Sequence, residues 1–241
     1  MLIGDGINKY YGTRQALKNI YIQIEPAKIT TLIGPSGSGK STLLKALSLL
    51  DPPDSGTIRI DDTKYIFPSR GKRNLPLPWP KLTTVFQQLF LWPHLTIRQN
   101  ITLPIQQNGG DVSGRVEELL EIFDLVEFTD RFPNQVSLGQ RQRAAIVRAL
   151  ALHPKFLLLD EITSALDVEY ISALLNHLKL LRDQGTGILL VTHLIGFARQ
   201  SADQVLFMDK GEVVESGGPE ILVAPKSKRL NTFLSLMISA S

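Results

Sequence analysis

The segment Gly34-Pro35-Ser36-Gly37-Ser38-Gly39-Lys40-Ser41 follows the pattern G-x-x-x-x-G-K-[ST] in full. Each residue type in it has a chemical use. Glycines let backbone N–H groups converge on phosphate oxygens without Cβ clashes. A helix starting at this point adds about half a positive charge at its N-terminus. Lys40 is placed to reach the β- and γ-phosphates of a nucleotide, Ser41 to ligate Mg²⁺, and Thr42 to bond the α-phosphate. An apolar strand, Ile29 to Ile33, precedes the loop and a helix-capable run, Thr42 to Leu50, follows. That context separates a phosphate cradle from a glycine turn that merely opens a helix. The motif implies a nucleotide and no particular function, because unrelated enzymes share it.

A second group is acidic. Phe156-Leu157-Leu158-Leu159-Asp160-Glu161 is an apolar strand ending in two carboxylates. A carboxylate closing the strand beside the cradle is where Mg²⁺ needs a further protein ligand, so Asp160 is expected there. Glu161, just beyond, is placed to polarise an attacking water as general base. Gln87 follows the Val85-Phe86 strand and is a candidate contact for Mg²⁺ or water, with Gln88 as an alternative. His193 ends the strand Leu189 to Thr192, which in a parallel sheet puts it on the same edge as the cradle. His94, His153 and His177 have no such placement and read as surface or loop groups.

Those residues need elements to hold them. Ile20, Ile22 and Ile24 alternate with polar residues, as in a half-buried strand, and Thr57 to Ile60 is a strand after a Pro/Gly turn. Alternating Pro76, Pro78 and Pro80 forbid helix and favour an extended path into a strand over Thr83 to Gln87. Val116, Leu119, Leu120 and Phe123 share a helix face, with Ser113 as N-cap. A second helix runs from Gln140 to Leu152 and ends before His153-Pro154. Ile171, Leu174, Leu175, Leu178 and Leu181 mark a third helix, stopped at Gly185. Ile188 to Val191 is a buried parallel strand, and Asp209-Lys210-Gly211 is a hairpin turn. Strands alternating with helices predict a mainly parallel α/β core, with the helical middle inserted between two of its strands.

The 241 residues suffice for one large domain or two small ones, without staples. There is no Cys, which excludes a disulfide framework, a thiolate zinc site and a cysteine nucleophile, and suits a reducing cytosol. No stretch approaches the ~20 apolar residues of a membrane helix, and the first residues lack a signal-peptide pattern, so the chain is expected neither to span a membrane nor to be exported. The net charge of +3 is too mild to argue for nucleic acid. The short basic clusters Arg70-Gly71-Lys72-Arg73 and Lys226-Ser227-Lys228-Arg229 read as solvated faces.

Val136-Ser137-Leu138-Gly139-Gln140-Arg141-Gln142-Arg143 resembles the L-S-G-G-Q signature of ATP-binding-cassette (ABC) ATPases. The order of motifs is also that family's: cradle, Gln87, signature, Asp160-Glu161, Ser164-Ala165-Leu166-Asp167, His193. The resemblance covers nearly the whole chain and implies a P-loop NTPase α/β core with a mainly parallel sheet. It adds an N-terminal antiparallel β subdomain and an inserted helical subdomain. In that reading residues 1–241 are one nucleotide-binding domain, with 1–88 and 154–241 forming the core and 89–153 the helical part. It implies ATP and Mg²⁺, and two such subunits sandwiching two nucleotides. Ser137, Gly139 and Gln140 of one chain would meet the ATP held by the other, and Asp167 would couple the sites. Tyr11, in Tyr10-Tyr11-Gly12, looks like the aromatic that stacks on adenine, with Tyr10 the alternative.

The stretches Val85 to Thr96, Leu159 to Asp167 and Val191 to Arg199 resemble the polar amino acid importer branch. That implies an ATPase subunit at the cytoplasmic face of a bacterial membrane. Its partners would be transmembrane permease subunits and, indirectly, a solute-binding protein, with no nucleic acid. The competing readings are an exporter ATPase, a soluble ABC regulator and a P-loop kinase. The regulator predicts tandem cassettes or a strongly basic arm; the kinase explains neither Ser137 nor His193. Two positions depart from the family pattern. Leu138 stands where the first signature glycine is usual, and a backbone with positive φ there would cost roughly 1–2 kcal/mol of strain. Ile162 stands where proline is usual.

Overall fold

The computed structural model describes residues 1–68, 76–109, 114–162 and 168–239. Its chain builds two sheets. The first is antiparallel, with β1 (Leu2–Tyr11), β2 (Arg14–Ile24), β4 (Ser55–Ile60) and β5 (Thr63–Phe67) in the order β2-β1-β4-β5. The second contains β3 (Ile29–Ile33), β6 (Leu82–Val85), β7 (Phe156–Asp160), β8 (Gly187–Val191), β9 (Gln204–Asp209) and β10 (Glu212–Gly217) in the order β10-β9-β3-β8-β7-β6. All its pairings are parallel except β9 with β10. The expected α/β architecture, with a mainly parallel sheet and a separate antiparallel one, is what the chain adopts.

Burial explains the split. Every residue of β3, β7 and β8 is buried, as in a parallel sheet covered on both faces. Leu157, Leu159, Ile188 and Leu190 enter one core, while Phe156, Leu158, Leu189 and Val191 enter another on the opposite face. The second core also takes Leu43, Leu44 and Leu47 of α1 (Lys40–Leu47) and the inner face of the antiparallel sheet. Helix α1 is therefore held between the two sheets, and the loop before it cannot drift.

Helices α2 (Ile97–Gln107), α3 (Arg115–Ile122) and α4 (Leu138–Leu150) fall between the paired strands β6 and β7. They supply Ile97, Ile101, Leu119, Leu120, Ile146 and Val147 to the first core. This is the insertion the sequence predicts. Helix α5 (Val168–Asp183) ends ahead of Gly185, whose φ of 102° suits the expected stop. Helices α6 (Ile195–Ser201) and α7 (Lys228–Ser239) cover a third core around Phe207 and Phe233.

Several boundaries move. β6 ends at Val85, so Gln87 lies in a bend rather than on the strand. α4 starts at Leu138, two residues earlier than the periodicity suggests, because Ser137 and Gln140 form a capping box. α3 is preceded by Gly114, and the expected cap Ser113 lies outside the described residues. The turn Asp209-Lys210-Gly211 has φ of 49° at Lys210 and 84° at Gly211, the twist-matched hairpin that sequence implies. His177 is not a surface group: it is half-buried, with its ring 5.1 Å from that of Phe123. Arg229 is not simply solvated, since its Nε donates to Asp209 Oδ2 at 2.6 Å. The cluster at Arg70 lies outside the described residues.

Candidate functional site

Parallel register brings the ends of β3, β7 and β8 to one edge, with Asp160 beside Val191 and Leu32 beside Val191. The loop leaving β3 turns sharply there. Gly34 has φ of 153°, and a Cβ on it would lie 2.0 Å from the Met208 carbonyl oxygen. Gly39 has φ of 108°, with a hypothetical Cβ 2.7 Å from the Ala16 carbonyl oxygen. No side chain fits at either place, so these two glycines are required by the packing itself.

Lys40 opens α1 and is 7% exposed. Its Nζ donates to the carbonyls of Gly34 at 2.8 Å and Pro35 at 3.0 Å, which curls the ammonium back over its own loop. Burial lowers its pKa, and the charges of Glu161 and Asp160 partly restore it. The first turn of α1 carries no acidic residue, so the positive end of the helix is left for a ligand.

Asp160 is buried at the end of β7, and its Oδ1 has no hydrogen-bond partner among the described residues. Burial raises its pKa, and Glu161 adds to that; a hydrogen bond from Ser41 and the charges of Lys40 and Lys45 act the other way. A buried carboxylate oxygen with spare capacity, next to a hydroxyl, is an oxygen-only donor set. That chemistry fits a hard divalent cation. Glu161 takes φ of 50°, a strained conformation for a side chain of its kind, and its N–H donates to the Val191 carbonyl at 3.0 Å. The turn lifts Glu161 from the sheet and into the cleft.

A cleft of about 460 Å³ joins these groups. Ser36, Gly37, Gly39, Lys40, Ser41 and Thr42 form its floor, and Gln87 and Glu161 stand on one wall. Tyr11, Arg14 and Ala16 form the other wall. Tyr11 lines the cleft and Tyr10 does not, which favours Tyr11 of the two alternatives. Pro35 is half-buried and Ser38 is buried within the loop, and Gly34 lies below it. Arg14 and Ala16 were not named from sequence. They reach the cleft because β2 runs along the loop just after the turn at Gly12: Arg14 donates to the Gly37 carbonyl at 3.4 Å, and the Ala16 carbonyl stands against Gly39.

Other expected residues stand elsewhere. His193 follows β8, half-buried, and lines a neighbouring groove of about 670 Å³ with Ile195, Phe197 and Met237. Ser137 and Gly139 lie at the start of α4 and do not line the cleft. The Ser137 hydroxyl accepts from the Gln140 N–H at 3.2 Å, and Gln140 Oε1 accepts from the Ser137 N–H at 2.8 Å. Gln140 is thus committed to the cap. Leu138 is the first helical residue of α4 and is not among those with positive φ, so the strain expected of it does not arise. Ile162 is fully buried, and its carbonyl accepts from Gln142 Nε2, linking α4 to the segment after Asp160 and Glu161. Asp167 lies outside the described residues.

A glycine cradle between a parallel strand and a helix, flanked by carboxylates from the next strand but one, defines a P-loop nucleotide-binding protein. Residues 17–164 match the family model for ABC transporter. The chain is 41% identical over 243 residues to the arginine transport ATP-binding protein ArtM of Bacillus subtilis (strain 168), covering 99% of this chain and 100% of that one. It is 40% identical over 233 residues to the glutamine transport ATP-binding protein GlnQ of Escherichia coli (strain K12), covering 95% and 96%. Among solved structures it is similar to a dimeric ATP-binding cassette in a post-hydrolysis state bound to ADP and Pi. There the TM-score is 0.80 at 33% identity, over 91% of this chain and 99% of that one. The chain belongs to the ABC transporter family and is one of its ATP-binding, ATP-hydrolysing subunits.

Proposed function

We propose that this subunit hydrolyses ATP to drive import of a polar amino acid through separate membrane subunits. The observation that carries the chemistry is the pairing of a pre-formed cradle with an unpartnered carboxylate oxygen at Asp160. The solute class is supported by the arginine and glutamine transport proteins it resembles over almost their whole length.

Lys40 and the N–H groups of Gly37 to Ser41 would neutralise the β- and γ-phosphates, with Thr42 at the α-phosphate. Tyr11 would stack on adenine. Ser41, Asp160 and Gln87 are the residues that would hold Mg²⁺, which supplies charge neutralisation between the β- and γ-phosphates. Glu161 would accept a proton from the attacking water, and His193 would contact the γ-phosphate. A second copy presenting Ser137 and Gly139 would complete the cleft. In the cap Ser137 Oγ acts as acceptor, so its proton is left to donate to phosphate. Asp167 would couple the two sites. We read 89–153 as the helical subdomain carrying that surface and the remainder as the core.

No helix among the described residues is long and apolar enough to cross a membrane. A groove of about 410 Å³, lined by Leu50, Trp79, Phe86, Trp92 and Arg148, supports a docking place for a permease. Arg148 donates to the carbonyls of Leu89 and Phe90, each at 2.8 Å, just beyond Gln87, so an occupant would be felt at the nucleotide. The subunit would then work at the cytoplasmic membrane face, with a solute-binding protein acting through the permease. The test is reconstitution with co-purifying membrane subunits in vesicles. Arginine, glutamine or another polar amino acid should stimulate both ATPase rate and uptake; stimulation by none of them, or solute efflux, would overturn the import reading.

A further inference from the structure

The ring of Tyr11 is held from behind by residues outside the nucleotide cleft. Its hydroxyl donates to Asp51 Oδ2 at 2.6 Å. The other oxygen of that carboxylate accepts from Lys9 Nζ, which also donates to the Pro52 carbonyl at 2.7 Å. Lys9 is 7% exposed and sits on β1, two residues before Tyr11; Asp51 lies in the turn after α1. The ammonium also stands 5.6 Å over the centroid of the Tyr11 ring. An ammonium buried this far costs stability unless its protons are used, and here they meet a carboxylate and a carbonyl. Burial raises the Asp51 pKa, but hydrogen bonds from Lys9 and Tyr11 outweigh it and hold the carboxyl below its ordinary value. The carboxylate is therefore a charged acceptor for the tyrosine hydroxyl.

Two consequences follow for the ring. The tether at the hydroxyl fixes where the ring lies, since a phenol pinned at its far end cannot swing about Cα–Cβ, and the ammonium over one face favours one setting of its plane. The cation over one face leaves the opposite face for a second π-system. Neither Lys9 nor Asp51 lines the cleft, so neither touches the nucleotide directly. We infer that Lys9 and Asp51 are positioning residues for adenine, which set the Tyr11 ring in the orientation that accepts the base. The inference rests on the reading of Tyr11 as the stacking aromatic.

The experiment measures binding of MgATP and of magnesium tripolyphosphate, which has no base, to the purified chain. Tyr11→Phe keeps the ring and the Lys9–Asp51 pair and removes the tether, together with the hydroxyl's hydrogen bond with Thr42, whose effect on phosphate binding the tripolyphosphate arm reads separately. Asp51→Ala removes the anchor but leaves Lys9 buried without its carboxylate, which threatens folding, so Tyr11→Phe carries the test if that variant fails. Each should weaken MgATP binding by roughly threefold to tenfold. The double variant should be no weaker than the worse single one, because both remove the same link. Tripolyphosphate affinity should stay at the parent value throughout, which a merely structural role would not allow. Parent-like MgATP affinity in Tyr11→Phe, or a parallel loss of tripolyphosphate binding, overturns the inference. Tyr11→Ala separates the two levels. If it leaves MgATP affinity intact, the stacking reading falls and the inference with it. If it weakens binding while Tyr11→Phe does not, only the inference falls.

Discussion

The phosphate cradle and the signature segment are both helix N-termini, yet they are built in opposite ways. At the cradle the backbone is locked: Gly34 and Gly39 admit no side chain, Lys40 is buried over its own loop, and Asp160 keeps an oxygen in reserve. At the signature the Ser137–Gln140 capping box satisfies the backbone, Ser137 is exposed, and Leu138 is 53% exposed. The cradle is pre-formed within one chain; the signature is a stable exposed surface that, in the function proposed above, would act only against a second copy. Electrostatic catalysis depends on groups that need no rearrangement, so the cradle must be pre-organised. An interface can be completed on assembly and needs only a rigid shape beforehand.

The widest gap between the two regions should appear with Glu161→Gln. Loss of the general base should slow hydrolysis by about 10²–10⁴-fold while MgATP still binds, because Asp160 and Lys40 are untouched. Pre-steady-state turnover and equilibrium binding check it; a rate within tenfold of the parent would remove Glu161 from the mechanism. The trapped ATP state should also elute as a dimer in size-exclusion chromatography, and a monomer at saturating ATP would count against a site shared between two chains.

Lys40→Ala should cost about 10²–10³-fold in turnover and weaken nucleotide binding as well, since it removes the buried cation of the cradle. Unchanged nucleotide affinity would mean that the ammonium serves its own loop rather than the phosphates.

Ser137→Ala tests the other region. It should destabilise the chain by about 1 kcal/mol through loss of the cap, seen by urea unfolding, and leave MgATP binding to the isolated chain unaltered. Its effect on hydrolysis should emerge in the assembled transporter. If nucleotide affinity of the isolated chain falls too, the two regions are coupled within one chain.

Leu138→Gly should give a smaller effect. Because Leu138 is helical and unstrained, glycine relieves nothing and should lower stability by roughly 0.5–1 kcal/mol, with ATPase rate within about twofold of the parent. A gain of fivefold or more in the assembled transporter would show that bulk at this position obstructs closure.

The smallest effect concerns the packing of α5 against the end of α3. Burial lowers the pKa of His177, with Arg115 adding to it and Glu118 opposing. The folded state thus binds the proton less readily than the unfolded one. Stability from this group is full above the unfolded value near 6.5 and falls as pH drops from there through the lowered folded value. His177→Leu should flatten that part of the urea-midpoint profile; an unchanged slope between pH 7 and 5 would assign it to other groups.

Local chemistry made much of the molecule legible from sequence. The apolar runs of β3, β7 and β8 read as buried strands because burial on both faces leaves no polar position. The cradle was legible for a related reason: glycine, lysine and hydroxyl at fixed spacing serve one kind of ligand, and the strand and helix on either side confirm the context. Helix α2 carried the signals of a Thr96–Gln99 capping box but was interrupted by Pro104, which obscured its period. α6, at seven residues, was too short for a period to emerge.

By itself, then, the sequence determined which residues could handle a triphosphate, and the order of motifs that marks the family. Only the tertiary structure decided which residues share the cleft. Arg14 and Ala16 enter it because β2 passes over the loop, and of the two adjacent tyrosines Tyr11 lines it and Tyr10 does not. The Lys9–Asp51–Tyr11 link joins residues about forty positions apart, and Gln142 reaches Ile162 across two elements. The strain expected at Leu138 disappeared for the same reason. A residue's φ is set by the element that contains it, and the capping box at Ser137 placed Leu138 inside a helix. Spacing along a chain encodes local conformation and the chemistry of single motifs. Proximity between distant residues arises only when apolar faces from different segments bury one another, and here that packing fixed the cleft.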